Sequence, residues 1–182
     1  MKIDYWIDQH DRLERVGGDW TSFALDNEGH ELEPERVIGE SIWRYIAGAE
    51  ISNLYRQLFT RLRRTRGTAR FPFRCDSPGA RRQFDMRIRG HEHGSLSIES
   101  VAREIVQRPP IAVFDTGTPH STEFVRMCAW CQRIHSAEHE WIEVEHAVQV
   151  LELFQQARPP RVTHGVCPPC LAALEAEADE HT

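Results

Sequence analysis

Two short words near the C-terminal end constrain this chain more than anything else in it: Cys128-Ala-Trp-Cys131 and Cys167-Pro-Pro-Cys170. Two residues between cysteines let both thiolates reach one ion while backbone N–H groups point at the sulfurs. The two pairs are separated by 35 residues, so whatever the last third folds into must return to its own starting point. Four thiolates complete a tetrahedral coordination shell and leave no position open for substrate. The expected centre is therefore structural Zn2+ held by Cys128, Cys131, Cys167 and Cys170. Pro168 and Pro169 suit a first helical turn, which puts the second pair at a helix N-terminus, where the dipole favours thiolate. His164 is expected to turn or support the loop before Cys167. Cys75 has no Cys or His partner nearby and reads as a bystander.

Composition narrows the setting. With 182 residues and 40% hydrophobic content, the chain suits one ordinary domain plus a small module. No apolar run approaches the roughly 18–20 residues needed to cross a bilayer, and acids stand where a signal peptide would carry its apolar stretch. The expectation is a cytoplasmic protein with no membrane partner, whose cysteines are reduced and read as ligands before disulfides. Between Arg56 and Arg89 lie eleven arginines and two acids, so that stretch carries +9 within a chain of net −6. A basic stripe can meet phosphates or an acidic partner. The chain also uses Arg almost to the exclusion of Lys (Lys2 alone), a bias that gives the same stripe with no function attached.

Taken in order, residues 3–8 and 12–16 alternate like two strands of an opening hairpin, interrupted by Gly17-Gly18. Asp19 and Ser41 are placed to cap short helices over 20–25 and 42–47, and Pro34 to Gly39 reads as one helical turn. Ile51, Leu54, Tyr55, Leu58, Phe59 and Leu62 form one continuous stripe, predicting a helix over about 49–66 that Gly67 ends. Strands are expected over 68–75, 82–89 and 96–106, joined by turns into an antiparallel meander. His91 and His93 fall in the second of these turns. Residues 111–114 read as a short extended piece and 115–122 as linker. Trp141, Val144, Val148 and Leu151 predict a helix running to about Phe154, and a final helix runs from Leu171 to about Asp179. The expected organisation is 1–110, a linker over 111–125, and a four-cysteine module over 126–182. A knuckle-borne pair followed by a helix-borne pair is the logic of a treble clef or zinc ribbon.

The first part resembles the PAS family. The residues that carry the likeness are the opening strand-turn-strand with Asp8 and Asp11, then Pro34-Glu-Arg-Val-Ile-Gly39 followed by Ser41-Ile-Trp43, then the long amphipathic helix. Gly17-Gly18 stand where the family often has Asn. The resemblance implies an α+β fold, a PAS-like five-stranded antiparallel sheet with intervening helices, and a ligand space between sheet and helices. Trp20, Phe23, Trp43 and Phe73 are the candidate lining for a small apolar ligand, or simply core. Flavin-binding members need a Cys within what is here 40–48, and haem-binding members a His within 49–66. Neither is present, so neither cofactor is expected. Residues 126–174, with Met127-Cys-Ala-Trp-Cys-Gln-Arg-Ile134, Trp141-Ile-Glu-Val-Glu145 and Thr163-His-Gly-Val-Cys-Pro-Pro-Cys170, resemble a segment at the C-terminal end of bacterial sensor and response-regulator-type proteins.

The resulting expectation is a non-enzymatic sensory or signalling module that acts through a protein partner, as a homodimer, with structural zinc. No phosphate loop, kinase or cyclase motif, or Ser/His/Asp arrangement is readable. Two alternatives stay open: a nucleic-acid-binding regulator using the basic 56–89 stretch, and a thiol–zinc redox switch.

Overall fold

A computed structural model describes residues 1–27, 29–115, 117–136, 140–150 and 158–179, with side chains through 176. The fold is mixed α+β. β1 (Lys2–Ile7) and β2 (Leu13–Gly18) form the opening hairpin; α1 (Trp20–Asp26), α2 (Pro34–Val37) and α3 (Ala49–Thr65) follow. β3 (Thr68–Arg74), β4 (Ala80–Gly90) and β5 (Leu96–Gln107) then run as a meander. These strands make one five-stranded sheet in the order β2-β1-β5-β4-β3, antiparallel at every pairing. The pairing of β1 with β5 joins the first strand of this sheet to its last, antiparallel.

The stripe on α3 does what its spacing dictates. Ile51, Leu58, Phe59 and Leu62 are buried against Phe71, Ile88, Leu96 and Ile98 of the sheet. Each such side chain contributes roughly 1.5–3 kcal/mol by leaving water. The helix crosses the sheet at Gly90, where a Cβ would lie 2.1 Å from the Leu62 carbonyl oxygen, so no larger residue fits without moving the helix. Arg66, at φ +52, ends α3 in the left-handed region one residue before the expected Gly67.

Other local expectations differ from the structure. β2 continues through Gly17-Gly18, which pair with Asp4 and Ile3. Asp19 caps nothing with its side chain; its carboxylate accepts the Lys2 backbone N–H at 2.8 Å and closes the hairpin instead. The helix expected over 42–47 is a single 3-10 turn, Ile42–Arg44, without a Ser41 side-chain cap. Residues Ala112–Phe114 form another 3-10 turn rather than an extended piece.

The C-terminal part holds a second sheet. β6 (Phe124–Cys128), β7 (Ile134–His135), β8 (Trp141–Ile142) and β9 (Arg161–Gly165) lie in the order β8-β7-β6-β9, with β6 and β9 parallel. Trp141 is therefore in a strand, opposite His135, and the helix that follows, α4, is Val144–Val150. Leu151 to Phe154 lie outside the described residues. α5 (Pro168–Asp179) opens with the two prolines, as their fixed φ and missing N–H favour. A small core of Met127, Ile134, Val144, Ala147 and Val148 takes in Ile111 and Val113 from the preceding segment.

The larger core does not stop at the sheet. Cys128, Trp130, Val166, Cys167 and Leu174 belong to the same buried cluster as Phe59, Phe71 and Ile98. The backbone N–H of Arg74, at the end of edge strand β3, donates to the Trp130 carbonyl. The C-terminal end of this edge strand is thereby capped by the cysteine-bearing turn.

Candidate metal centre

Cys128 is the last residue of β6, in register with Gly165 of β9. The chain then turns back on itself. Gln132 sits at φ +58, its N–H donating to the Cys128 carbonyl (2.9 Å), while the Cys128 N–H donates to the Arg133 carbonyl (2.8 Å). The Ala129 N–H donates to the Gly165 carbonyl at 2.9 Å, tying this knuckle to the end of β9. Two residues later comes Cys167, whose N–H points at the Cys128 sulfur at 3.4 Å. The Leu171 N–H donates to the Cys167 carbonyl at 3.0 Å, and this first turn of α5 swings Cys170 over the other three.

The outcome is a group of four sulfurs all within 4.8 Å of one another. Cys131 and Cys167 are 3.6 Å apart, against about 3.8 Å for the edge of a tetrahedron with metal–sulfur bonds of about 2.3 Å. The donor set and its spacing fit a tetrahedral ion. Cys128 and Cys167 are buried, whereas Cys131 and Cys170 are partly exposed. Proton sharing shows the same crowding. Hydrogen bonds from the Cys131 and Cys170 thiols, joined by the N–H groups of Cys131 and Cys167, hold Cys128 far below the ordinary thiol range. Cys131 is pushed up to about 12 and Cys170 is raised further, because each gives its proton to a neighbour. A divalent cation would replace those protons and be held by all four residues.

Trp130 lies between the first two cysteines and fixes the knuckle to the fold. It is 4% exposed, with its ring 5.7 Å from that of Tyr55 on α3 and 5.8 Å from Phe71 on β3. Nothing in a CxxC motif signals this. A buried ion-pair network ties the end of β3 to the start of α4. Arg74 is 6% exposed; it pairs with the fully buried Asp76, and with Glu143 (2.8 Å) and Glu145 (2.9 Å) at the start of α4. Arg108, just past β5, shares Asp76 (3.0 Å) and Glu145 (2.7 Å). Burial raises the Glu145 pKa, but the Arg74 hydrogen bond and charge outweigh it and leave it below the usual range.

This network also accounts for part of the basic 56–89 stretch. Arg74 and Arg82 are buried. Arg63 donates to the carbonyls of Gly94 and Asp8 and pairs with Asp11, while Arg82 donates to the Cys75 carbonyl and to Asn27. Composition placed these side chains in one class; the fold separates structural arginines from exposed ones.

The remaining candidates are dispersed. His164 lies on β9 beside Met127, outside the sulfur group. Cys75 is half-buried, its thiol raised by burial. His91 stacks on Trp6 with ring centroids 4.4 Å apart. Of the four aromatic pocket candidates, Phe23 packs edge-on and Phe73 stacks against the same ring, Phe84. Trp20 packs edge-on against Tyr5, and Trp43 packs against Phe59 beneath Arg56. No protein-family model matches the chain, and no curated protein matches it. Among the described residues no helix is long and apolar enough to cross a membrane.

Proposed function

We propose that the chain is a PAS-like sensory or signalling module, working through protein contacts and held in shape by one structural zinc ion at Cys128, Cys131, Cys167 and Cys170. The observation that carries this reading is the closure of the four-sulfur group onto the core of the sheet. All four coordination positions come from protein, two of the ligands are buried, and the turn between the first pair is packed on α3 and β3. A catalytic zinc needs a vacant position, and this donor set supplies none.

The PAS-like reading is supported by the five antiparallel strands with α1, α2 and α3 all inserted between the second and third. Support for a treble-clef-like module comes from a knuckle pair followed by a pair on the first turn of a helix. Output then depends on a partner, a second copy first among them. Native mass spectrometry of the purified protein tests these points together. The expected spectrum is a dimer carrying one zinc per chain. A folded, metal-free monomer with measurable turnover would overturn the reading.

A further inference from the structure

The face of the sheet turned away from the helices has an order that no single stretch of sequence reveals. Strand register lines up Arg15, Trp6, Ser97, Arg89 and Thr68 as one row across all five strands. The next row is Gly17, Asp4, Glu99, Arg87 and Arg70. Arg70 and Arg87 are thus direct cross-strand neighbours, an arrangement of like charges that destabilises a sheet. Arg89 stands two residues along β4 on the same face, and all three arginines are exposed. With Lys2 and Arg15, five cations line a concavity of ≈ 330 Å3 that holds two carboxylates, Asp4 and Glu99.

Among the described residues lining this concavity, cations outnumber carboxylates. Glu99 is already shared by Lys2 and by Arg87 at 2.6 Å. Trp6 is covered by Arg15, with its guanidinium 4.3 Å from the ring centroid, and by the stacked His91. His91 is held below its ordinary pKa first by burial, with the nearby charges of Arg89 and Arg15 acting in the same direction.

We propose that this outer face is a binding site for a small polyphosphate-bearing anion, such as pyrophosphate or the phosphate chain of a nucleotide. Adjacent strands lie about 4.8 Å apart, so the forks of Arg70 and Arg87 can close on one phosphate while Arg89 reaches the next. The concavity is of small-molecule size. Because Arg15 and His91 already lie against the Trp6 ring, the site favours phosphates over successive unstacked bases.

The site uses none of the cysteines, so its failure would leave the zinc reading intact. Titration calorimetry at physiological salt with inorganic pyrophosphate, ATP and a fifteen-nucleotide oligothymidine tests it. Pyrophosphate and ATP are expected to bind with one site per chain. Equal affinities assign the site to phosphate alone, and tighter ATP assigns it to a nucleotide. Arg89→Gln should weaken binding at least tenfold, and Arg70→Gln/Arg89→Gln should abolish it with the thermal transition retained. Arg64→Gln, on the exposed face of α3, should change nothing. Three results would overturn the proposal: no heat with pyrophosphate or ATP, equal loss in Arg64→Gln, or binding of the oligonucleotide alone.

Discussion

Replacing Trp130 with alanine separates a local metal clip from a metal site built into the core. The indole is 4% exposed and touches both α3 and β3. A tryptophan buries about 250 Å2, which at roughly 25 cal/mol per Å2 gives about 6 kcal/mol as an upper bound. Aromatic-to-alanine changes in cores cost about 3–5 kcal/mol after partial collapse of the cavity, and this site is expected in that range. The loss should appear twice. Urea unfolding followed by far-UV circular dichroism should show the whole five-stranded sheet destabilised by about 3 kcal/mol or more. Competition with a chromophoric chelator should show weaker zinc retention, because the turn between Cys128 and Cys131 loses its anchor. Trp130→Phe, which keeps most of the volume, should recover most of both. A variant that loses under 1 kcal/mol, or loses metal while the sheet unfolds as before, would refute the shared core.

Arg74→Met removes the cation from a buried network and leaves Asp76 with Arg108, so a loss of about 3 kcal/mol is expected in urea melts. Acid should act on the same junction. Glu145 is held below its ordinary pKa, so the stability it contributes is complete above about 4.5 and is lost as pH falls through its folded value. Urea midpoints measured downward from pH 6 should therefore drop more in the parent than in Arg74→Met. Gly90→Ala drives a methyl group into the Leu62 carbonyl at the crossing of α3 and β4, and a loss of at least about 2 kcal/mol is expected by thermal melting.

Sequence patterns reached the parts of this fold that rest on periodicity. The α3 stripe and the alternation of β4 and β5 are local consequences of which positions face the core. The four cysteines were legible because coordination requires fixed spacing. What stayed hidden depends on contacts distant in sequence. Trp141 kept helical spacing with Val144 and Val148, yet pairs with His135 because β7 offers it a partner. Arg74 looked like any other arginine of a basic stretch until Glu143 and Glu145, some seventy residues on, folded over it. Trp130 looked like a spacer between ligands. The cation rows on the outer face exist only once register places Arg15 and Arg89 in one row and Arg87 beside Arg70 in the next, and no local pattern specifies that.

One ion held by Cys128, Cys131, Cys167 and Cys170 is expected to stabilise the sheet as well as the turn around it. Apparent binding energies of structural zinc are about 10–16 kcal/mol at neutral pH, comparable to the whole stability of a domain. Hydrogen exchange on the purified protein, with and without a strong chelator, measures this amide by amide. One zinc per chain is expected and, on its removal, faster exchange across β3, β4 and α3 together with the cysteine turn. Protection of those elements unchanged after the metal has gone would contradict it.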